Sequence, residues 1–172
     1  YENVGLLGPN LEIFDLPAIG SLNYLCDDYG IDTMSGGCVL SFYADAVDRG
    51  AAPGSYRFGD AAASKLLLGA IARREGEIGN LLAEGSMRAA HKFGHGSLDY
   101  AMQVKGLEVA AYNCKFIPGM ALAFGVSPIG AHHKESWVIT FELKQTSRES
   151  YGHEKAQKVI DLQRSRGGAR KR

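Results

Sequence analysis

Cysteine is scarce in this 172-residue chain, and what little there is excludes its commonest uses. Cys26, Cys38 and Cys114 form an odd set with no close pair. That argues against a disulfide framework and for reduced thiols in a cytoplasmic setting. There is no Cys-x-x-Cys, so the commonest zinc frameworks have no starting point. No apolar run approaches the ~18 residues that a membrane span needs, and no internal repeat is visible. The start, Tyr1-Glu2-Asn3-Val4, has neither a basic n-region nor an initiator Met, so a signal peptide is not expected and a piece of a longer protein is.

Net charge is lacking as well, with 19 Lys and Arg against 19 Asp and Glu. The balance hides an asymmetry. Arg164, Arg166, Arg170, Lys171 and Arg172 crowd the end, which leaves the rest of the chain acidic. A nucleic-acid surface on the folded body is therefore not expected, and one short tail makes few phosphate contacts. An apolar share of 45% and a charged share of 22% suit one ordinary globular core. Glycine is plentiful at 22 residues, so tight turns and close backbone approach should be frequent.

The pattern along the chain is helical. Asp15 stands where an N-cap would, Pro17 lies in the first turn, and Ile19, Leu22 and Cys26 follow on one face, with Gly30 as the stop. An apolar run from Val39 to Val47 lies between Gly36-Gly37 and Gly50. A loop is expected over 51–59, then a helix capped by Asp60 and reaching about Glu75, bearing Leu67 and Ile71. A further helix is expected from Gly79 to Phe93, with Leu82, Met87 and Ala90 inward. Residues 97–133 are irregular and rich in Gly, Pro, Ala and Met. Trp137 to Phe141 is strand-like by propensity and equally readable as a buried helical segment. Ala156, Val159, Ile160 and Gln163 mark a last amphipathic helix closed by Gly167-Gly168. The fold class expected is all-α: an irregular multi-helix domain with Gly/Pro-rich loops over 1–168, followed by a disordered basic tail at 169–172.

Four groups of side chains could carry chemistry. Asp27-Asp28-Tyr29-Gly30-Ile31-Asp32 sets carboxylates on both sides of a helix-ending glycine, able to accept hydrogen bonds from the amino and ring N–H groups of one ligand. The bland alternative is that Asp27 and Asp28 are solvated while Asp32 caps the next helix. Lys105-Gly106 offers a cation beside a close-approach position, or simply a surface lysine. Tyr112, Cys114, His132 and His133 place a phenol, a thiol and imidazoles in one short stretch that matches no zinc spacing. Cys114 reads as a lowered-pKa thiolate or metal ligand, or as a free buried cysteine. Each imidazole reads as a proton shuttle or as a satisfied core group. Glu2 heads an apolar run and, if buried, could exchange protons near neutral pH.

Taken together, Tyr1-Glu2-Asn3 leading to Leu6-Leu7-Gly8, Asp27-x-x-Gly30-Ile31-Asp32, Gln103-Val104-Lys105-Gly106-Leu107-Glu108, Ala111-Tyr112, Pro118-Gly119-Met120-Ala121-Leu122-Ala123 and Gly130-Ala131-His132-His133 resemble the aldehyde ferredoxin oxidoreductase family. The likeness is collinear from residue 1 to about 168. It implies the helical domains of a cytoplasmic enzyme that wrap a tungsten (or molybdenum) bis-molybdopterin. A [4Fe–4S] cluster is implied in the full-length enzyme, its cysteine ligands absent from this chain.

The resemblance carries Asp27 and Asp32, with Gly30 between them, over as pterin-binding residues. Lys105 and Gly106 are candidates for the same cofactor, because a cation beside a glycine suits a phosphate or pterin edge. Glu2, Tyr112 and His133 become active-site residues, with His133 hydrogen-bonding the substrate carbonyl and Glu2 taking a proton from water or hydrate. The implied reaction turns an aldehyde into a carboxylate and passes electrons to ferredoxin or an electron-transfer subunit. The Asn113-Cys114-Lys115 triplet and the run to Trp137 are also similar to the tungsten subunit of class II benzoyl-coenzyme A reductases. That branch would make Cys114 the metal ligand, with Cys38 next, and an aromatic acyl thioester the substrate. A non-catalytic helical binding module is the remaining alternative. No nucleic-acid or membrane partner is expected, and a homo-oligomer is left open.

Overall fold

The computed structural model describes residues 1–147 and 149–169, in two compact units spanning Tyr1–Ala111 and Tyr112–Arg172. Among the described residues the only sheet is a two-stranded hairpin, so the all-α expectation holds. None of their helices is long and apolar enough to cross a membrane.

The first unit is built from α1 (Glu2–Leu7), a 3-10 turn at Pro9–Leu11, α2 (Leu16–Tyr29), α3 (Thr33–Asp48), α4 (Ala61–Arg73), α5 (Gly76–Leu82), α6 (Ser86–Phe93), and the hairpin β1 (Gln103–Val104) and β2 (Leu107–Glu108). Aspartates start its longest helices. Asp15, Asp32 and Asp60 accept from the amides of Ala18, Ser35 and Ala63 at 2.9, 2.8 and 2.8 Å, satisfying donors that the first turn leaves over. Gly30 then closes α2 in the left-handed region, at φ 68°. Ile19, Leu22 and Cys26 are the buried face of α2, as their spacing predicts.

The core joins Leu7, Leu11, Leu22, Leu40, Leu68 and Leu82, all essentially inaccessible to water. Helices α1 and α3 approach so closely that a Cβ on Gly37 would stand 2.5 Å from the Leu6 carbonyl oxygen. The loop over 51–59 is pinned by stacked Tyr43 and Tyr56 rings, 5.8 Å apart, and by the Tyr43 hydroxyl donating to the Pro53 carbonyl at 2.7 Å.

Several boundaries differ from expectation. The Val39–Val47 run is the inner part of α3, which starts at Thr33 because Asp32 caps it and takes Gly36-Gly37 inside. The single helix expected over 79–93 is two helices, interrupted where Gly85 adopts φ 89°. Leu82 and Ala90 are buried while Met87 is half-buried. The irregular stretch expected over 97–133 divides, residues 97–111 belonging to the first unit and 112–133 to the second.

The second unit contains α7 (Pro118–Val126), α8 (Ile139–Lys144) and α9 (His153–Ala169). Helix α7 lies inside a stretch expected to be irregular. Trp137–Phe141 takes the helical alternative, with α8 beginning at Ile139. Helix α9 runs through Gly167-Gly168 to Ala169, so those glycines do not close it, and the buried positions near its start are Lys155 and Val159 rather than Ile160. The tail expected from 169 therefore begins in helix, and residues 170–172 lie outside those described.

Candidate functional site

In the first unit the candidates gather where α1, α2 and α3 meet. Thr33 Oγ1 donates to Asn3 Oδ1 at 3.1 Å, Asn3 Nδ2 to Asn23 Oδ1 at 2.6 Å, and Asn23 Nδ2 to Asp27 Oδ2 at 3.2 Å. This relay ties Asp27 to the start of the chain. Asp32 spends Oδ1 on its cap, as the bland reading expects. Asp27 and Asp32 are both exposed, on either side of the left-handed Gly30. Each therefore keeps one carboxylate oxygen outside these bonds, able to accept from a ligand N–H.

Glu2 is half-buried and accepts from the Ala111 amide at 3.4 Å, while the Tyr1 hydroxyl donates to the Ala111 carbonyl at 3.0 Å. Lys105 and Gly106 are the two-residue hairpin loop, at φ 56° and 82°. The Gly106 amide donates to Gln103 Oε1 at 2.8 Å, so it serves the turn. The adjoining Glu108 is a buried hub that sequence reading missed. Its Oε1 accepts from the Ser86 amide and hydroxyl at 2.8 and 2.9 Å, and its Oε2 from the Ser35 hydroxyl at 3.0 Å. Only its place at the end of the Lys-Gly-Leu-Glu motif signals it.

The thiols are not activated. Cys38 is buried and donates to the Val109 carbonyl at 3.3 Å; burial first, then the charges of Glu108, Asp32 and Glu2, push it up to about 12. Cys26 is pushed up to about 11, again chiefly by burial. Cys114 is half-buried, and desolvation followed by Glu142 raises it too. The lowered-pKa reading of Cys114 is thus reversed, because no cation outweighs the loss of water around the sulfur. His91 and His95 stand four residues apart, but α6 ends at Phe93 between them. Among the described residues no three His, Cys, Asp or Glu side chains converge as a metal-holding group.

The second unit brings Tyr112 and His133 together, edge to face with centroids 5.7 Å apart. His133 also lies 6.5 Å from the ring of Trp137. The segment is anchored by buried Ala131, Ser136 and Val138. Its neighbour His132 accepts from the Lys134 amide at 3.3 Å and faces Glu135 at 4.0 Å.

Elsewhere in this unit, Glu142 has no exposure at all. Its carboxylate accepts from the Gly119 and Met120 amides at 2.9 and 3.1 Å and pairs with buried Lys155 at 2.9 Å. It fills the N-terminus of α7, where a carboxylate meets both unsatisfied amides and the helix dipole. Nothing in the sequence pattern announces this pair, since its members come from different helices.

The donor set fits a polar, ring-bearing cofactor in the first unit: exposed carboxylates around a tight turn and a lysine at a hairpin tip. The second unit offers an imidazole steadied by aromatic rings. A family model described as "Aldehyde ferredoxin oxidoreductase, domains 2 & 3" matches residues 1–169. The chain is 36% identical over 152 residues to a tungsten-containing aldehyde ferredoxin oxidoreductase of Pyrococcus furiosus, covering 83% of this chain and 24% of that protein. It is 33% identical over the same length to the protein of that description from Thermococcus kodakarensis, with the same coverage. An aliphatic sulfonate oxidoreductase, WOR-like subunit, of Pyrococcus furiosus is 37% identical over 124 residues, which is 67% of this chain and 20% of that protein. The chain thus spans about a quarter of the length of these aldehyde ferredoxin oxidoreductase relatives.

Proposed function

Because this chain belongs to the aldehyde ferredoxin oxidoreductase family, we propose that it is the cofactor-wrapping part of a tungstopterin oxidoreductase that converts aldehydes to carboxylates and passes the electrons to ferredoxin. The observation that carries the reading is the turn that presents Asp27 and Asp32 around Gly30, inside a stretch matched end to end. When bound, a tungsten or molybdenum bis-molybdopterin supplies the two-electron chemistry, and a [4Fe–4S] cluster elsewhere in the full-length enzyme relays electrons singly.

The chain's own residues bind, orient and move protons. Asp27 and Asp32 accept from pterin amino and ring N–H groups through the oxygens left outside their structural bonds. Lys105 places a positive charge at the hairpin tip, suited to a pterin phosphate. His133, its ring steadied by Tyr112, donates to the substrate carbonyl oxygen and polarises the carbon. Glu2 receives the proton released by the attacking water or hydrate.

Cys114 lies two residues beyond Tyr112, and its ligation of the metal would mark the aromatic acyl-coenzyme A reductase branch instead. A Cys114→Ser variant separates the branches, since loss of metal is expected only if the sulfur is a ligand. The principal test is a His133→Asn variant of the full-length enzyme. Aldehyde oxidation is expected to fall at least a hundredfold, a general acid being worth ~10²–10⁴, with tungsten content unchanged. Undiminished oxidation would overturn the assignment.

A further inference from the structure

Trp137 is the chain's only tryptophan, and it is not used in the core. Its neighbours Ser136 and Val138 are buried, whereas Trp137 is 47% exposed. A large ring gains most when fully packed, so a half-exposed indole on a segment otherwise anchored inward forgoes much of its own burial. It makes a ring contact with the candidate proton donor, tilted at 52° to His133 with centroids 6.5 Å apart. His133 in turn meets Tyr112 at 76° and 5.7 Å. The imidazole therefore contacts both a phenol ring and a partly exposed indole.

We propose that Trp137 is a specificity-determining residue, a stacking shelf that holds the ring of an aromatic carbonyl substrate beside His133. The proposal rests on His133 acting on the substrate carbonyl. A planar carbonyl compound hydrogen-bonded to the imidazole has its ring beside the neighbouring indole, and offset stacking there favours aromatic over short aliphatic groups. Family membership does not settle this preference, because one relative is named for aliphatic sulfonates.

Two measurements test it. The sole tryptophan makes fluorescence of the unmodified chain a direct reporter. Benzoate is expected to change the emission saturably, at concentrations at least threefold below any response to acetate. Equal responses, or none, would overturn the shelf. In the cofactor-loaded full-length enzyme, Trp137→Leu is expected to raise the ratio of KM for benzaldehyde to KM for acetaldehyde by roughly three- to tenfold, the range a ring pair supplies. Trp137→Phe should restore most of it. An unchanged ratio in Trp137→Leu, with both aldehydes still oxidised, would reject the shelf and leave the oxidoreductase reading intact. If the loaded enzyme oxidises no aldehyde, that reading fails, and the fluorescence comparison alone decides for or against Trp137.

Discussion

The two units hold themselves together in different ways. The first, Tyr1–Ala111, buries leucines from successive helices in one shared core and keeps most of its charged side chains at helix ends and surfaces, Glu108 being the exception. The second, Tyr112–Arg172, buries Ile117, Met120, Phe124, Val138 and Val159 together with a Glu142–Lys155 ion pair that also holds the start of α7. Apolar burial is spread over many contacts and survives small changes. A buried ion pair depends on every partner staying in place, since losing one strands the other in a medium that cannot solvate it. The second unit, which carries Tyr112 and His133, should therefore be the more fragile.

The sharpest way to break this contrast is Glu142→Gln. Removing the charge leaves Lys155 buried without its carboxylate, a change that costs ~3–5 kcal/mol. Amide exchange is expected to lose protection across α7, α8 and α9 while α2 to α4 keep theirs. Equal loss in both units would show that the pair is not the local keystone. Lys155→Met, which removes the stranded charge, should recover part of the loss in the double variant.

Raising the pH should act the other way, on the first unit. Cys38 rises from 9.0 to about 12 and Cys26 from 9.0 to about 11. Above pH 9 the unfolded state has lost thiol protons that the folded state still holds, so stability falls as pH increases. The contribution is fully present below pH 9 and is lost as pH climbs toward 12. Denaturation of the first unit monitored between pH 8 and 11 should show a decline that Cys38→Ser reduces; a flat profile would contradict the burial assigned to these thiols.

The smallest effect on stability separates cap from ligand. Asp32→Ala should cost ~1 kcal/mol, the usual penalty for a lost N-cap, while Asp32→Asn, also a good cap, should be nearly neutral. If Asp32 also holds the pterin, both variants lower cofactor occupancy, because a carboxylate accepts where an amide nitrogen cannot. Full occupancy in Asp32→Asn would confine Asp32 to its structural role.

The helices that the sequence discloses are those with local punctuation. Asp15, Asp60 and Gly30 mark ends through bonds within one turn, and the structure places the boundaries there. Helix α7 is hidden because it is apolar on every side and carries Gly119 and Gly125, so no periodicity distinguishes it from a loop. The break before α6 turns on the backbone of Gly85, which looks no different in sequence from the glycines inside α3. Residue chemistry alone singles out Asp27, Asp32, Lys105, Tyr112, Cys114, His133 and Glu2 as candidates, and only motif resemblance gives them proposed roles. The Glu142–Lys155 pair joins two separate helices, and pattern reading has no access to it.

The most direct measurement is elemental analysis of the protein purified from its native source, with its intact mass. Tungsten or molybdenum together with iron, on a chain well above the 18.5 kDa of this sequence, is the predicted result. A metal-free native protein of this mass would contradict the account and leave a non-catalytic helical binding module.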